Sequence, residues 1–483
     1  MVNINVVVLA AGKGTRMHSA RPKVLHQLAG KPLLQHVLDT SRQLTDRAIQ
    51  LVIGHGADEV QQTIANQNVN CVVQEQQLGT AHAVHQALPQ LEHDAIALIL
   101  FGDVPLVQVA TLRTLLLQAD ANTMAVLTCV MKNPFGLGRI VRDSGGSIQC
   151  IVEEKDATPD QRAIHEINTG IMAIPVKRLQ QWLPRIQSNN TQKEYYLTDV
   201  VALALADGCG VLTSPSVDEK ETAGINDRAQ LAELERHYQL IAAARLMQAG
   251  VTLRDPARLD IRGSVQCGRD VEIDINVILE GSIELGSNVK IGPNCVLKNC
   301  KVGDYTEIAA NSILEDSVIG KHCTVGPFAR IRPGTELSDQ AKIGNFVEIK
   351  KSKIGYHSKV NHLSYVGDSV LGQDVNIGAG TITCNYDGVN KFKTIIGDNV
   401  FIGSNTALVA PVTVASGATV GAGSVITKDV AEKQLAAAAE IAKNTLIFPP
   451  KEQHHVWNCW SHCRAADHRH SCRRLAPAGV SRL

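Results

Sequence analysis

The chain has 483 residues, enough for two or more domains with separate cores, and its 47 Lys plus Arg balance its 47 Asp plus Glu. With no net charge there is no global field to draw in nucleic acid or an anionic membrane, so any anion site must be local. Apolar runs such as residues 95–101 are too short to span a bilayer, no signal-peptide pattern opens the sequence, and nine of the twelve cysteines are scattered singly before residue 385; a cytoplasmic protein with reduced thiols and no nucleic-acid or membrane partner is expected.

In chain order, VVVLAA from Val6 leads straight into Gly12, Lys13, Gly14, Thr15 and Arg16. A strand entering a glycine turn is how phosphate loops begin, since backbone amides at a helix start can cradle an anion. This loop has neither the spacing of a P-loop nor the third glycine of a dinucleotide fingerprint, where Met17 stands. Lys13, Arg16 and Lys23 add three positive charges beside it, which predicts a triphosphate site. IQLVIG (49–54), NCVVQ (70–74) and AIALILFGD (95–103) read as further strands, with an amphipathic stretch over 31–44 between the Val6 run and the first of these. The alternation predicts an α/β, mainly parallel sheet, with ligands bound beyond the strands' carboxyl ends. Gly12 and Asp103 fall at such ends, and Asp103 is placed to help hold a hard cation such as Mg²⁺.

Residues 229–247 set Leu231, Leu234, Tyr238 and Ile241 at helical spacing, predicting one long connecting helix. Beyond Gly250 an aliphatic residue recurs every six positions: Ile261, Ile273, Leu279, Leu285, Ile291 and Leu297, with Cys267 filling one slot. The rhythm continues from Val302 to Ile377 and returns from Ile396 to Ile426. A period of six fits a triangular β-helix in which each hexapeptide forms one side and its aliphatic residue points inward. The register slips between Ile377 and Ile396, placing Asn385, Tyr386, Asp387 and Gly388 in an excursion from one face. Next to it, His362 follows an inward Val360, and Lys350, Tyr365, Asn376, Asn385 and Tyr386 fall in consecutive turns, preceded by Arg330 and Arg332. A histidine base beside cations and amides is what acyl transfer to an amine requires.

LAAGKGTRM with RPKVL, followed in order by QEQQLGTAHAV, FGDVPL, GLGRIV, VEEKDA, EINTGI, EYYLTD and GIND, resembles the sugar-1-phosphate nucleotidyltransferases. Joined to a hexapeptide β-helix, roughly residues 1–435 resemble the bacterial bifunctional N-acetylglucosamine-1-phosphate uridyltransferase/glucosamine-1-phosphate acetyltransferase family. The resemblance implies a Rossmann-like nucleotidyltransferase domain (1–227), a helical linker (228–250) and a left-handed parallel β-helix (251–448). It implies that Ala11, Gly12, Gln74, Gly79 and Thr80 frame uracil and ribose, with Leu9, Ala10, Lys13, Phe101 and Gly102 completing the nucleotide and sugar site. Arg16 and Lys23 would bind the phosphates and stabilise developing charge, Asp103 and Asn226 would hold Mg²⁺, and Gly138, Glu153, Asn168 and Thr169 would contact N-acetylglucosamine. In the β-helix, His362 would deprotonate the amine of glucosamine-1-phosphate as it attacks acetyl-CoA, and Asn385 would orient substrate and His362. Arg332, Lys350, Tyr365, Asn376 and Tyr386 would bind the sugar phosphate, and Ala379, Ser404 and Ala422 would line the acetyl-CoA site between subunits of a homotrimer. UTP and acetyl-CoA are the implied co-substrates.

The pattern departs from the family near its end. Ala439 stands where relatives place an arginine toward CoA, with Lys443 one helical turn on. Residues 449–483 hold two of the three Trp and three of the twelve Cys, and a disordered appendage from a shifted reading frame is expected there. The alternative is a small metal site at Cys459, Cys463, His468, His470 and Cys472. The altered ending also leaves open a second reading, a uridylyltransferase whose β-helix only trimerises.

Overall fold

The β-branched run at the start forms a central strand because both of its faces are covered. Ile4–Ala10 sends Val7 and Leu9 into one apolar cluster and Val6, Val8 and Ala10 into another, the pattern of a strand inside a sheet covered on both sides. The computed structural model describes residues 3–65 and 67–437 and the backbone of Glu440–Ile441. Ala439, Lys443 and the proposed tail ligands Cys459, Cys463, His468, His470 and Cys472 lie outside the described residues. The structure divides into two compact units between Asn299 and Cys300.

In the first unit all four expected strands form, as Ile4–Ala10, Ile49–Ile53, Val69–Val73 and Ile96–Phe101, and all pair in parallel. The sheet continues through Glu166–Pro175, which runs antiparallel to both Ile96–Phe101 and Thr123–Val130. Gly210–Ser216 closes that edge in parallel with Thr123–Val130, and the hairpin of Arg139–Arg142 and Ile148–Val152 joins alongside. The helix expected over 31–44 is Leu33–Arg42, burying Leu33, Leu34, Val37 and Leu38. The long helix is Arg228–Gln248, started by the Asp227 side chain, which accepts the Gln230 N–H at 2.8 Å.

Hexapeptide coils begin within this first unit: Leu259–Cys267 pairs in parallel with Val277–Leu285. The buried Gln239 amide ties the long helix to them, donating to the Ile261 carbonyl at 2.8 Å and accepting its N–H at 2.7 Å. The division at Asn299 and Cys300 therefore falls within the hexapeptide sequence.

In the second unit the coils stack as three columns of short parallel strands. One column runs through Thr324–Val325, Lys342–Asn345, Lys359–His362, Asn376–Ile377, Phe401–Ile402 and Thr419–Val420. The second runs through Arg330–Ile331, Glu348–Lys350, Tyr365–Gly367, Ile382–Cys384 and Ala407–Val409. The third runs through Thr335–Leu337, Lys353–Ile354, Ser369–Leu371, Thr394–Ile396 and Val412–Val414. Every aliphatic slot named from the sequence is buried, and only Cys267 is partly exposed. The slot missing in the slipped coil is filled by buried Thr383, aligned with Leu408, whose hydroxyl accepts the Gly367 N–H at 2.8 Å. The excursion comes directly after it and is pinned by an antiparallel bridge between Tyr386 and Lys391. Nine cysteines, all among the described residues, are unbridged, and no described helix is long and apolar enough to cross a membrane.

Candidate active sites

The glycine loop of the first unit leads into a different element from the helix expected after it. Ala11–Gly14 opens into a single 3-10 turn, Thr15–Met17, and no α-helix starts until Leu33. Met17 is buried and anchors the turn, while Gly12, Lys13 and Arg16 are exposed at the lip. Gly14 takes φ 58°, and a Cβ there would stand 2.6 Å from the Lys23 Cβ. Glycine at this position lets Lys23 pass beneath the loop.

Lys23 thereby reaches the carboxyl end of Ile96–Phe101. Its ammonium is paired with the Asp103 carboxylate and lies 3.2 Å from the Asn226 side-chain oxygen. The Ile225 N–H donates to the Asp103 carbonyl at 2.9 Å, which fixes the segment carrying Asn226 beside Asp103. A carboxylate and an amide oxygen converging on one cation are the hard donors Mg²⁺ takes, with phosphate oxygens and water completing its shell. Among the described residues no cluster of three or more His, Cys, Asp or Glu could hold a metal by itself.

The expected base and ribose residues gather next to the loop. Gln74 is buried, and its amide donates to the Gly79 carbonyl at 3.2 Å and reaches His82 Nδ1 at 2.9 Å. Gly79 takes φ 117°, where a Cβ would collide with the Tyr195 backbone, and Thr80 Oγ1 accepts the Leu197 N–H at 3.0 Å. Gly102 is tied to Leu9 across the sheet at 2.9 Å, which sets the carboxyl ends of Ile4–Ala10 and Ile96–Phe101 side by side.

Gly138, Glu153, Asn168 and Thr169 also come together. The Asn168 N–H donates to the Gly138 carbonyl at 2.9 Å, and a Cβ on Gly138 would meet the Glu153 carboxylate at 3.3 Å. Thr169 Oγ1 donates to the Leu127 carbonyl at 2.8 Å. Glu153 lines a cavity of about 310 Å³ with Asp156, Asn190, Tyr196, Thr198 and Asp199. Burial pushes the Glu153 carboxyl above the ordinary range, a contact from Thr198 Oγ1 at 3.3 Å opposes this, and the Asp156 and Asp199 charges add to it. Asp199 is raised by burial and by Asp156, and the Tyr196 phenol is pushed up to about 12, first by burial and then by the surrounding carboxylates. The Tyr196 hydroxyl is buried without a partner among the described residues. Tyr196, Thr198 and Asp199 were not singled out from the sequence, although EYYLTD carries them.

In the second unit His362 is exposed at the end of Lys359–His362, and its Nδ1 lies 2.8 Å from Asn345 Oδ1 on the preceding coil. An amide oxygen only accepts, so Nδ1 carries the proton and the Nε2 lone pair is free. Asn385, expected to orient His362, is buried and donates to Asp368 at 2.5 Å. Asn345 and Asp368 were both missed from the sequence. Each lies 17 residues before its partner, one coil of the stack, and that spacing was the available signal.

Elsewhere in the second unit, Arg332 donates to Glu348 at 2.8 Å, and Lys350 has its pKa lowered first by the Lys391 charge and then by Arg332. Lys391, from the excursion, thus joins two expected cations in one anion-seeking group, and sequence reading did not find it. Tyr365 lies over Gly367, where a Cβ would meet its ring, and Tyr386 stands exposed at the excursion. Asn376 sits on the next strand after Lys359–His362. Ala379, Ser404 and Ala422 rise along one corner, since Asn405 N–H donates to the Ala379 carbonyl and Gly423 N–H to that of Ser404.

A basic loop over the Asp103 and Asn226 oxygens, and a coil-mounted histidine held by an amide, fit a nucleotidyltransferase domain followed by a hexapeptide transferase domain. Residues 6–165 match the MobA-like NTP transferase domain family, residues 393–428 the bacterial transferase hexapeptide family, and residues 261–340 the GMPPB C-terminal domain family. The chain is 58% identical over 441 residues to the bifunctional protein GlmU of Cellvibrio japonicus, covering 91% of this chain and 97% of that one. It is 54% identical to the GlmU of Marinobacter nauticus and 56% identical to that of Stutzerimonas stutzeri, covering 92% and 90% of this chain and 98% and 96% of theirs. The chain belongs to the GlmU family of bifunctional transferases.

Proposed function

We propose that this chain makes UDP-N-acetylglucosamine by two transfers, acetyl from acetyl-CoA to glucosamine-1-phosphate and then uridylyl from UTP to the N-acetylated product. The reading rests on each unit holding its own chemistry: Lys23 bonded to Asp103 and Asn226 beneath the basic loop in one, an amide-held His362 in the other. Residues 1–227 carry uridylyl transfer, 228–250 link, and 251–448 carry acetyl transfer.

In acetyl transfer the amine nitrogen attacks the thioester carbonyl, the C–S bond breaks, and CoA leaves as a thiol. His362 Nε2 takes the amine proton while Asn345 holds the ring through Nδ1. Arg332, Lys350 and Lys391 neutralise the sugar phosphate. In uridylyl transfer a phosphate oxygen of N-acetylglucosamine-1-phosphate forms a bond to the α-phosphorus of UTP as pyrophosphate departs. Lys13 and Arg16 at the lip and Lys23 beneath it meet the growing charge, and no covalent enzyme intermediate is needed. Asp103 and Asn226 would hold Mg²⁺, which supplies further neutralisation of the triphosphate.

A homotrimer agrees with one apolar corner of the second unit. Phe328 and Phe346 stack at 5.2 Å and stand 48% and 56% exposed, and Leu363 continues their line at 63%. A contiguous exposed apolar ladder of this kind is covered by a partner surface, here a second copy. Cytoplasmic residence belongs to the same proposal.

The experiment is to assay both half-reactions on two variants. His362→Ala should abolish thiol release from acetyl-CoA and spare pyrophosphate release, and Asp103→Ala should do the reverse. Loss of both activities in a folded variant would rule out two independent sites.

A further inference from the structure

Cations on the walls of the β-helix are repeatedly matched to a carboxylate on an adjoining coil. Lys290 pairs with Glu272, Lys298 with Glu280, Lys321 with Asp304, Lys353 with Glu336 and Arg332 with Glu348. Lys342 and Lys359 break this pattern. They are direct register partners on adjacent parallel strands, and neither has an ion pair among the described residues. Like charges set opposite each other across strands about 5 Å apart are destabilising. A counter-anion between them would relieve that repulsion.

These two lysines line a cavity of about 470 Å³ with His322, His357, Thr324 and Gln340, and no carboxylate lines it. Both imidazoles are held in place. His322 stacks on Tyr305 with centroids 4.9 Å apart and planes within 2°, and His357 Nδ1 lies 2.7 Å from Asp374. The donors come from three successive coils, a span of about 10 Å across the stack. That is longer than one phosphate and suits two in tandem. None of the six residues belongs to the acetyl- or uridylyl-transfer sites, although the row of Lys342 and Lys359 continues into Asn376 on the next strand.

We infer that this cavity is a second anion site that binds a diphosphate group. Two sources share that chemistry, free pyrophosphate and the diphosphate of a nucleotide.

The test is calorimetric titration, without Mg²⁺, of the full chain carrying Lys13→Ala, Arg16→Ala, Lys23→Ala, Arg332→Ala, Lys350→Ala and Lys391→Ala, which remove the cations of its two other phosphate-binding positions. Inorganic pyrophosphate should bind, and adding Lys342→Gln with Lys359→Gln should weaken it about tenfold or more. Lys353→Gln, on a different column, should leave the affinity unchanged, and Lys342→Arg with Lys359→Arg, which keeps the charge, should retain binding. UDP binding more tightly than pyrophosphate identifies a nucleotide as the source, and equal affinity identifies free diphosphate. An affinity indifferent to the double Gln substitution, or lost in the double Arg variant, would overturn the inference. So would dissociation of the oligomer on the double Gln substitution in sedimentation, because carboxylates of a neighbouring copy would then be the counter-charge.

Discussion

Asn345 Oδ1 and His362 Nδ1 lie 2.8 Å apart on register-matched strands of adjacent coils. This one contact sets both the tautomer and the direction of the ring. Asn345→Ala should therefore lower kcat for acetyl transfer about tenfold with little change in KM, a smaller loss than removing His362. Steady-state thiol-release kinetics check it; a rise in KM at unchanged kcat would instead make Asn345 a substrate-binding residue.

Chelation should separate the two half-reactions. With Lys23 already resting on Asp103 and Asn226, removing Mg²⁺ with EDTA should cut pyrophosphate release by about 100-fold or more and leave thiol release unchanged. Adding back Mg²⁺ should restore it in the parent chain and not in Asp103→Ala.

Glu153 predicts a pH-dependent stability difference. Its folded pKa is raised, chiefly by burial, above the ordinary glutamate value of 4.5. Between those two values the folded chain binds more protons than the unfolded one, so stability from this group falls as pH rises through the window and stays lost above it. Glu153→Gln should therefore raise the melting temperature at pH 7 and leave it unchanged near pH 4, while weakening sugar binding. Calorimetry at the two pH values gives the sign directly.

Ile354 is fully buried in the third column, aligned between Leu337 and Leu371. Truncation to Ala should destabilise the β-helix by about 3 kcal/mol, from lost transfer energy and the cavity left behind. Denaturant unfolding followed alongside pyrophosphate release should show the second unit weakened and uridylyl transfer retained.

The stacked, exposed pair Phe328 and Phe346 should matter only in the assembly. Phe346→Asp should shift the sedimentation coefficient from trimer toward monomer and reduce acetyl transfer with it. A trimer that survives this change would place the interface elsewhere.

How much of this was legible in the sequence depends on whether a residue's role is periodic. Ile331, Ile349 and Val366 were readable because an inward slot admits one kind of side chain at a fixed interval, and all three are buried where expected. The strand ends at Gly12 and Asp103 were readable because ligand chemistry gathers there. Lys23 was placed among the phosphates, and only the structure seats it on Asp103 and Asn226. Asn345, Asp368 and Lys391 were missed for a different reason. They are polar residues outside the aliphatic slots, where propensity is silent, and their meaning comes only from what lies one coil above or across the excursion. Thr383 was missed because a hydroxyl filled a slot that the neighbouring coils give to an aliphatic residue.

The 17-residue step that joins Asn345 to His362 and Asp368 to Asn385 also limits how this half of the molecule can change. Deleting one residue inside a strand between either pair would detach the amide from its partner, whereas the corners take up single residues, since coils of different length stack in register through Thr324, Lys342 and Lys359. Removing or adding a whole coil would keep the walls aligned and only lengthen or shorten the stack. Large variation in length here comes in units of one turn of the stack, and the excursion that carries Lys391 is a place where a longer insertion fits without disturbing the register.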